Sequence, residues 1–177
     1  MNALETELLI DRVAAPAGAP FEAVLLVVDD GQVCAVDFAG FEERMRRLLD
    51  RRYPRYRLRP STNPAGATQR LKDYLDGDMS TLDALPVTTG GTPFQAAAWR
   101  ALRGIPVGRT ASYAEQAARI GRPGAARAIG AANGQNPVAI VLPCHRVVGA
   151  NGSLTGYAGG MATKEWLLKH ESAHAHR

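Results

Sequence analysis

The segment Asn136–Val148, NPVAIVLPCHRVV, is the most informative stretch of this 177-residue chain. Val138–Leu142 is an unbroken apolar run, the mark of a segment buried on all sides. Pro143 stops it, and Cys144, His145 and Arg146 follow at once. A buried run that ends at proline sets a thiol at the edge of a core, in stiff backbone. A lone cysteine is usually a small core residue. One beside histidine and arginine differs, because proton-accepting and cationic neighbours favour the thiolate, the nucleophilic form. Neighbouring side chains often diverge, so His145 need not touch the sulfur. It can act through a water or a more distant carboxylate. On these residues alone a Cys–His hydrolase, a thiol transferase and a redox sensor all stay open.

Upstream, helix signals follow one another closely. Thr92 with Pro93 is an N-cap followed by proline at the first helical position, and Gly104 ends the helix. Ser112 with Glu115 is a capping box that opens a helix over Tyr113–Ile120, stopped at Gly121. Pro123 then introduces a helix from Gly124 to about Asn133. Two short helices joined by a glycine-containing turn form a helix-turn-helix pattern. The second helix carries small residues, among them Ala126 and Gly130, and one charge, Arg127. A helix that reads base edges needs long polar side chains, which this one lacks. Two readings remain: tight packing against a neighbouring helix, or a helix in a narrow groove that inserts one arginine and binds DNA with little sequence preference.

In the N-terminal half, Ala23–Val28 and Val33–Phe38 are β-rich runs separated by Asp29, Asp30 and Gly31, a hairpin signal. Cys34 alternates with apolar residues and reads as a core residue. Phe41–Arg52 has helical apolar spacing and begins a run of arginines from Arg44 to Arg59. The interleaved Glu42, Glu43 and Asp50 favour a solvated helix face and an exposed strand over a nucleic-acid patch. Pro64–Asp76 is predicted as a short amphipathic helix ended by Gly77. Met79–Gly91, with Pro86 and a Gly-Gly pair, reads as the linker.

Charge divides at the same place. Residues 91–177 hold ten Lys/Arg and three Asp/Glu, whereas residues 1–90 hold eleven and fourteen. A basic half suits a polyanionic partner. The composition, 46% hydrophobic and 21% charged, is that of a globular protein. No basic-then-apolar leader and no membrane-spanning run is present, so a cytoplasmic location without membrane attachment is expected.

Five motifs in order, PFQAAAWRALRGIPVGRTASY (93–113), GAARAIGAANGQNP (124–137), PCHRVV (143–148), GYAGG (156–160) and KEWLLKHE (164–171), resemble the O6-alkylguanine-DNA alkyltransferases. The resemblance implies an α/β fold: a small ribonuclease H-like domain over residues 1–88, and over 89–177 a mainly helical domain with the helix-turn-helix and the active-site loop. It implies irreversible, stoichiometric transfer of an alkyl group from O6-alkylguanine in duplex DNA to Cys144, after nucleotide flipping. The histidine that takes the thiol proton corresponds to His145, and the carboxylate that orients it to Glu171. Asn136 corresponds to the hinge asparagine and Arg127 to the arginine that fills the vacated stack. Tyr113 corresponds to the tyrosine that rotates the phosphate and donates to the base. The carbonyls of Cys144 and Val147 accept from the guanine amino group, and the loop Tyr157–Ala158–Gly159 closes on the base. Ala126 and Gly130 lie on the helix that meets the minor groove. The family implies a monomer with no cofactor.

Two departures stand out. Ala158 occupies a position that usually carries a small hydroxyl residue, so only its amide can donate. Cys34 is the lone cysteine of the N-terminal half, so a Cys-rich zinc site is not available and no metal is expected. A non-catalytic lesion-binding relative and an unrelated Cys–His hydrolase are the alternatives. The presence of Cys144 disfavours the first; the helix-turn-helix and Arg127 disfavour the second. His170 is expected to face solvent, and His174 and His176 read as a frayed tail.

Overall fold

A four-stranded sheet organises the N-terminal half. In the computed structural model, which describes residues 4–175, β1 (Thr6–Ala14), β2 (Ala23–Asp29), β3 (Gln32–Phe38) and β4 (Tyr56–Pro60) lie in the order β3-β2-β1-β4. The first three strands are antiparallel, and the β2–β3 hairpin turns through Asp30 and Gly31, both at positive φ. That pair is the turn chemistry whose twist matches the strands. β4 runs parallel to β1, which demands a crossover, and α1 (Glu42–Arg52) supplies it.

β2 alternates between two cores. Leu25 and Val27 pack with Cys34, Met45, Leu49 and Tyr53 under α1. Val24, Leu26 and Val28 face the main core. Burial on both faces explains why this strand reads as one apolar run. Cys34 is the core residue that its alternation implied. β1 is a strand that periodicity alone misses, since Glu7, Asp11 and Arg12 interrupt it. Asp11 serves the neighbouring loop. Its carboxylate accepts from the amide of Asn63 and the hydroxyl of Thr68 and so ties that loop down.

α2 spans Ala67–Leu75 and starts later than Pro64, where the sequence placed it. Asn63, Ala65 and Gly66 all sit at positive φ, which closes a 3₁₀ turn over Pro64–Gly66 and excludes it from the helix. Met79–Gly91, expected as a linker, is a packed connection. Leu82 and Leu85 are buried, and Val87 bridges to Val33 of β3. Val138 bridges to Val36 on the same strand. The edge of β3 is therefore covered by the connection and by a residue of the second half.

The second half holds α3 (Pro93–Leu102), α4 (Tyr113–Arg119), α5 (Ala126–Gly134) and α6 (Met161–His174), with a short parallel pair of β5 (Ala111–Ser112) and β6 (Val147–Val148). Both caps of the sequence reading form, and Thr92 gains a full capping box with Gln95. α3, α4 and α5 meet at Ala98, Ala117, Ile129 and Ala132. Gln116 and Asn133, both buried, exchange two amide hydrogen bonds, and the indole of Trp99 donates to the carbonyl of Ala132. These bonds fix α4 and α3 against α5. Among the described residues no helix is long and apolar enough to cross a membrane.

Candidate active site around Cys144

The apolar run before Cys144 is buried, as expected, but it is not a strand. It folds into tight turns with bonds from Val141 to Ala139, Leu142 to Val138 and Cys144 to Leu142. Ile140 is held at φ 68°. A β-branched residue in that region costs about 1–3 kcal/mol, which the surrounding packing must hold in place. Asn136 is the clamp. Its amide donates to the carbonyl of Leu142 at 2.8 Å, and its carbonyl oxygen accepts from the amide of Val138 at 3.0 Å. One side chain thus closes the turn between α5 and the thiol.

A 3₁₀ turn over Cys144–Arg146 follows. It sends His145 and Arg146 to one partner, Glu171 of α6. His145 Nε2 lies 2.7 Å from Glu171 Oε1. Arg146 meets both carboxylate oxygens, at 2.9 and 2.8 Å, and its third nitrogen donates to the carbonyl of Ile105. The hydroxyl of Tyr74, on α2, donates to Glu171 Oε1 at 2.7 Å. His145 and Glu171 are fully buried. A carboxylate only accepts, so Nε2 of His145 carries the proton and, in the neutral ring, Nδ1 is left as acceptor. Nδ1 has no hydrogen-bond partner among the described residues. Burial would raise the Glu171 carboxyl, but His145 and then Arg146 outweigh it and hold it well below the carboxylate range.

Cys144 itself is buried. The positive neighbours of the sequence reading do not make it a resting thiolate. Burial pushes its pKa up, against a hydrogen bond from Asn136 and the charges of Arg44 and Lys164. Arg146, the adjacent cation, is committed to Glu171. The thiol therefore rests protonated and needs a base in place.

Three functional side chains escaped the sequence reading. Lys164 is buried and donates to the carbonyls of Val147 and Thr155 at 2.6 and 3.1 Å. Its clue was spacing: Lys164, Leu167 and Glu171 share one face of α6, and all three are buried. Arg44 pairs with buried Asp37 at 2.7 Å and donates to the carbonyls of Gly134 and Asn136. Arg44 lies within the run assigned to solvent, and with Arg51, which bonds Gln135, it ties α1 to the second half instead, while Arg52 bonds Thr88 of the connection. The exposed-strand reading does hold for Arg57 and Arg59, which pair with Glu7. Tyr74 is the third.

The remaining candidates gather in two places. Tyr113, at the start of α4, hydrogen-bonds the Thr155 hydroxyl at 2.7 Å. In the Gly156–Gly160 loop, Tyr157 packs edge-on to Phe38, and its hydroxyl is buried without a partner among the described residues. Gly159 abuts the Phe38 ring so closely that a Cβ there would lie 2.7 Å from it, which requires glycine. Ala158 is partly exposed. Arg127 is exposed on the first turn of α5 beside Ala126, with Ala128 and Ala131 also outward, while Ile129 and Ala132 pack inward. The small residues thus serve both readings: Ala132 packs against Ala98 and Ala117 of α3 and α4, while Ala128 and Ala131 look to solvent beside Arg127. Gly130 sits beside the Tyr113 ring.

Two expectations at the C-terminus are corrected. His170 is half-buried: its ring stacks on Trp166 at 4.6 Å and its Nε2 donates to the carbonyl of Tyr74. His174 does not fray; it ends α6 with its Nδ1 donating to the carbonyl of His170. The Trp166 indole gives the His170 ring a flat apolar surface, and the His174 ring tilts against His170 in turn. His176 lies outside the described residues. Among the described residues no group of three or more His, Cys, Asp or Glu side chains could hold a metal.

Residues 93–173 match the family described as 6-O-methylguanine DNA methyltransferase, DNA binding domain. The methylated-DNA–protein-cysteine methyltransferase of Shigella flexneri is 49% identical over 168 residues, 93% of this chain and 95% of that protein. A crystal structure of Mycobacterium tuberculosis OGT in complex with DNA superposes with a TM-score of 0.78 at 34% identity, covering 95% of this chain and 94% of that one. The O6-methylguanine-DNA methyltransferase of Pyrococcus kodakaraensis superposes at 0.67 with 25% identity, covering 93% and 98%. Its near-full-length identity and its α/β fold show that the chain belongs to the methylated-DNA–protein-cysteine methyltransferase family.

Proposed function

We propose that this protein repairs DNA by moving an alkyl group from guanine O6 in a duplex to Cys144, once per molecule. The observation that carries the proposal is the buried Cys144–His145–Glu171 arrangement. A protonated thiol adjoins a histidine whose Nε2–H is spent on a carboxylate and whose Nδ1 is free to accept. Transfer forms the bond between Cys144 Sγ and the alkyl carbon and breaks the bond from that carbon to O6. The thiol proton passes to His145 Nδ1, directly or through a water. The departing guanine takes up that proton, so atoms and charge balance without a co-reactant or cofactor. Sulfur suits in-line attack on a saturated carbon because it is a soft, strong nucleophile. Tyr113 and the Ala158 amide are the donors toward N3 and O6 of the leaving base. The carbonyls of Cys144 and Val147 accept from its amino group, with Lys164 holding the second of them. For Tyr113 to reach the base, its hydroxyl gives up Thr155.

The reacting carbon is hidden in duplex DNA, so the nucleotide is flipped out. The exposed small-residue face of α5 lies in the minor groove with little sequence preference, and Arg127 fills the vacated stack. Residues 1–88 form the ribonuclease H-like part, whose three antiparallel strands, crossover helix and parallel fourth strand fit that description. The protein acts as a monomer.

The test is stoichiometry. With an excess of O6-methylguanine duplex, repair stops at one lesion per protein molecule; continued turnover contradicts the proposal. Arg127→Ala tests the binding mode. It slows repair of the duplex by about tenfold or more, since unstacking costs a few kcal/mol that the guanidinium offsets. It leaves reaction with free O6-benzylguanine unchanged. Equal losses on both substrates would exclude the stack-filling role.

A further inference from the structure

Glu171 draws its donors from both halves of the chain. His145 and Arg146 come from the turn after Cys144, but the fourth hydrogen bond comes from Tyr74 on α2, 97 residues away in sequence. The phenol meets Oε1, the same oxygen that binds His145 Nε2. Tyr74 lies outside residues 93–173 that match the family's DNA-binding domain. Its side chain is fully buried. Burial and the Glu171 charge push its hydroxyl well above the usual phenol value, so it remains a donor at any working pH. It is also held from behind: His170 donates to its backbone carbonyl at 2.8 Å, its ring meets His170 edge-on, and His170 stacks on Trp166. A rigid donor aimed at one carboxylate oxygen decides which way that oxygen faces.

Arg146 alone would not set this geometry. A guanidinium fork fixes the plane of the carboxylate but offers its two oxygens equivalent donors, so it does not by itself single out Oε1. The Tyr74 hydroxyl breaks that symmetry, because it bonds Oε1 and not Oε2. We infer that Tyr74 is a positioning residue of the transfer reaction, through which the N-terminal half holds Glu171 Oε1 on His145 and so completes the active site. The inference rests on the function proposed for Cys144. It gives the N-terminal half a part in the chemistry beyond packing.

Tyr74→Phe keeps the ring and removes only the hydroxyl. Single-turnover methyl transfer to Cys144 is measured against duplex concentration, together with the melting midpoint. The expected result is a maximal rate lower by about tenfold, the size of one hydrogen bond to a charged group, with the half-saturating duplex concentration unchanged. In a Glu171→Gln background, the same change has no further effect. A maximal rate equal to wild type overturns the inference, as does a loss confined to half-saturation or an equal proportional loss in the Glu171→Gln background. Should Tyr74→Phe fail to fold, 3,5-difluorotyrosine at position 74 keeps the packing and alters only donor strength. A changed maximal rate at the wild-type melting midpoint then supports the inference, and an unchanged one overturns it. Failure of the wild-type protein itself to methylate Cys144 would instead refute the proposed function.

Discussion

Cys144→Ser lacks methyl transfer while binding duplex DNA as tightly as the wild-type protein. Serine nearly preserves volume and fits the buried position at the 3₁₀ turn, so the fold and α5 are untouched. The chemistry does not survive. A hydroxyl is far less acidic than a thiol, and burial, which already pushes the Cys144 thiol up, disfavours an alkoxide even more. The arrangement that deprotonates the sulfur cannot deprotonate the oxygen at neutral pH. The rate should fall by a factor on the order of 10⁴ or more, as for removal of a nucleophile from a relay of this kind. A quench-flow assay of the methylated duplex reads the rate, and a gel shift reads the affinity. A Cys144→Ser protein that still repairs would place the acceptor elsewhere.

Glu171→Gln is the second large effect, and it acts on rate and stability together. The amide keeps the shape but loses the charge that Arg146 and His145 share. Arg146 is then left buried beside a neutral group, and breaking such a pair costs about 3–5 kcal/mol. For a chain of this length that lowers the melting midpoint by about 10 °C. The amide can also turn its NH₂ toward His145 and reverse the tautomer, leaving Nδ1 protonated and unable to take the thiol proton. The comparable loss of orientation in a serine-protease triad is about 10⁴ in rate. The pH dependence follows in sign. Glu171 is depressed in the folded protein relative to an ordinary value of 4.5. Its contribution is fully present above that value and is lost as pH falls below it toward the folded value. The gap in melting midpoint between wild type and Glu171→Gln should therefore be widest near neutrality and narrow below pH 4.5. A gap that stays constant in acid would mean that folding does not depress the Glu171 carboxyl.

Local chemistry was legible in the sequence, and long-range contacts were not. The Asp30–Gly31 turn, the caps at Thr92 and Ser112, and the burial of Val138–Leu142 each depend on residues within a few positions of one another, so they could be read directly. The stretch Pro143–Val148 located the thiol for the same reason. β1 was hidden because Asp11 serves the loop at Asn63 and Thr68, far along the chain. Arg44 looked like one solvated arginine among many; its partners Asp37, Gly134 and Asn136 come together only after folding. His170 follows the same logic: its neighbours in sequence say helix, whereas its stacking on Trp166 and its bond to Tyr74 say half-buried. Tyr74 and Lys164 are polar groups inside the core, justified only by the carboxylate and carbonyls they meet. The resting state of Cys144 could not be read from its neighbours, because sequence gives their charges but not their partners. Arg146 belongs to Glu171, and burial decides the thiol.

That Cys144 is the acceptor, and is used once, can be weighed directly. The protein is incubated with a duplex carrying one O6-methylguanine, and intact and peptide masses are read. A single added methyl group is expected, on the peptide that contains Cys144, in a yield that never exceeds one per chain. A methyl group on Cys34 or any other residue, or repaired DNA with an unmodified Cys144 peptide, would contradict that role.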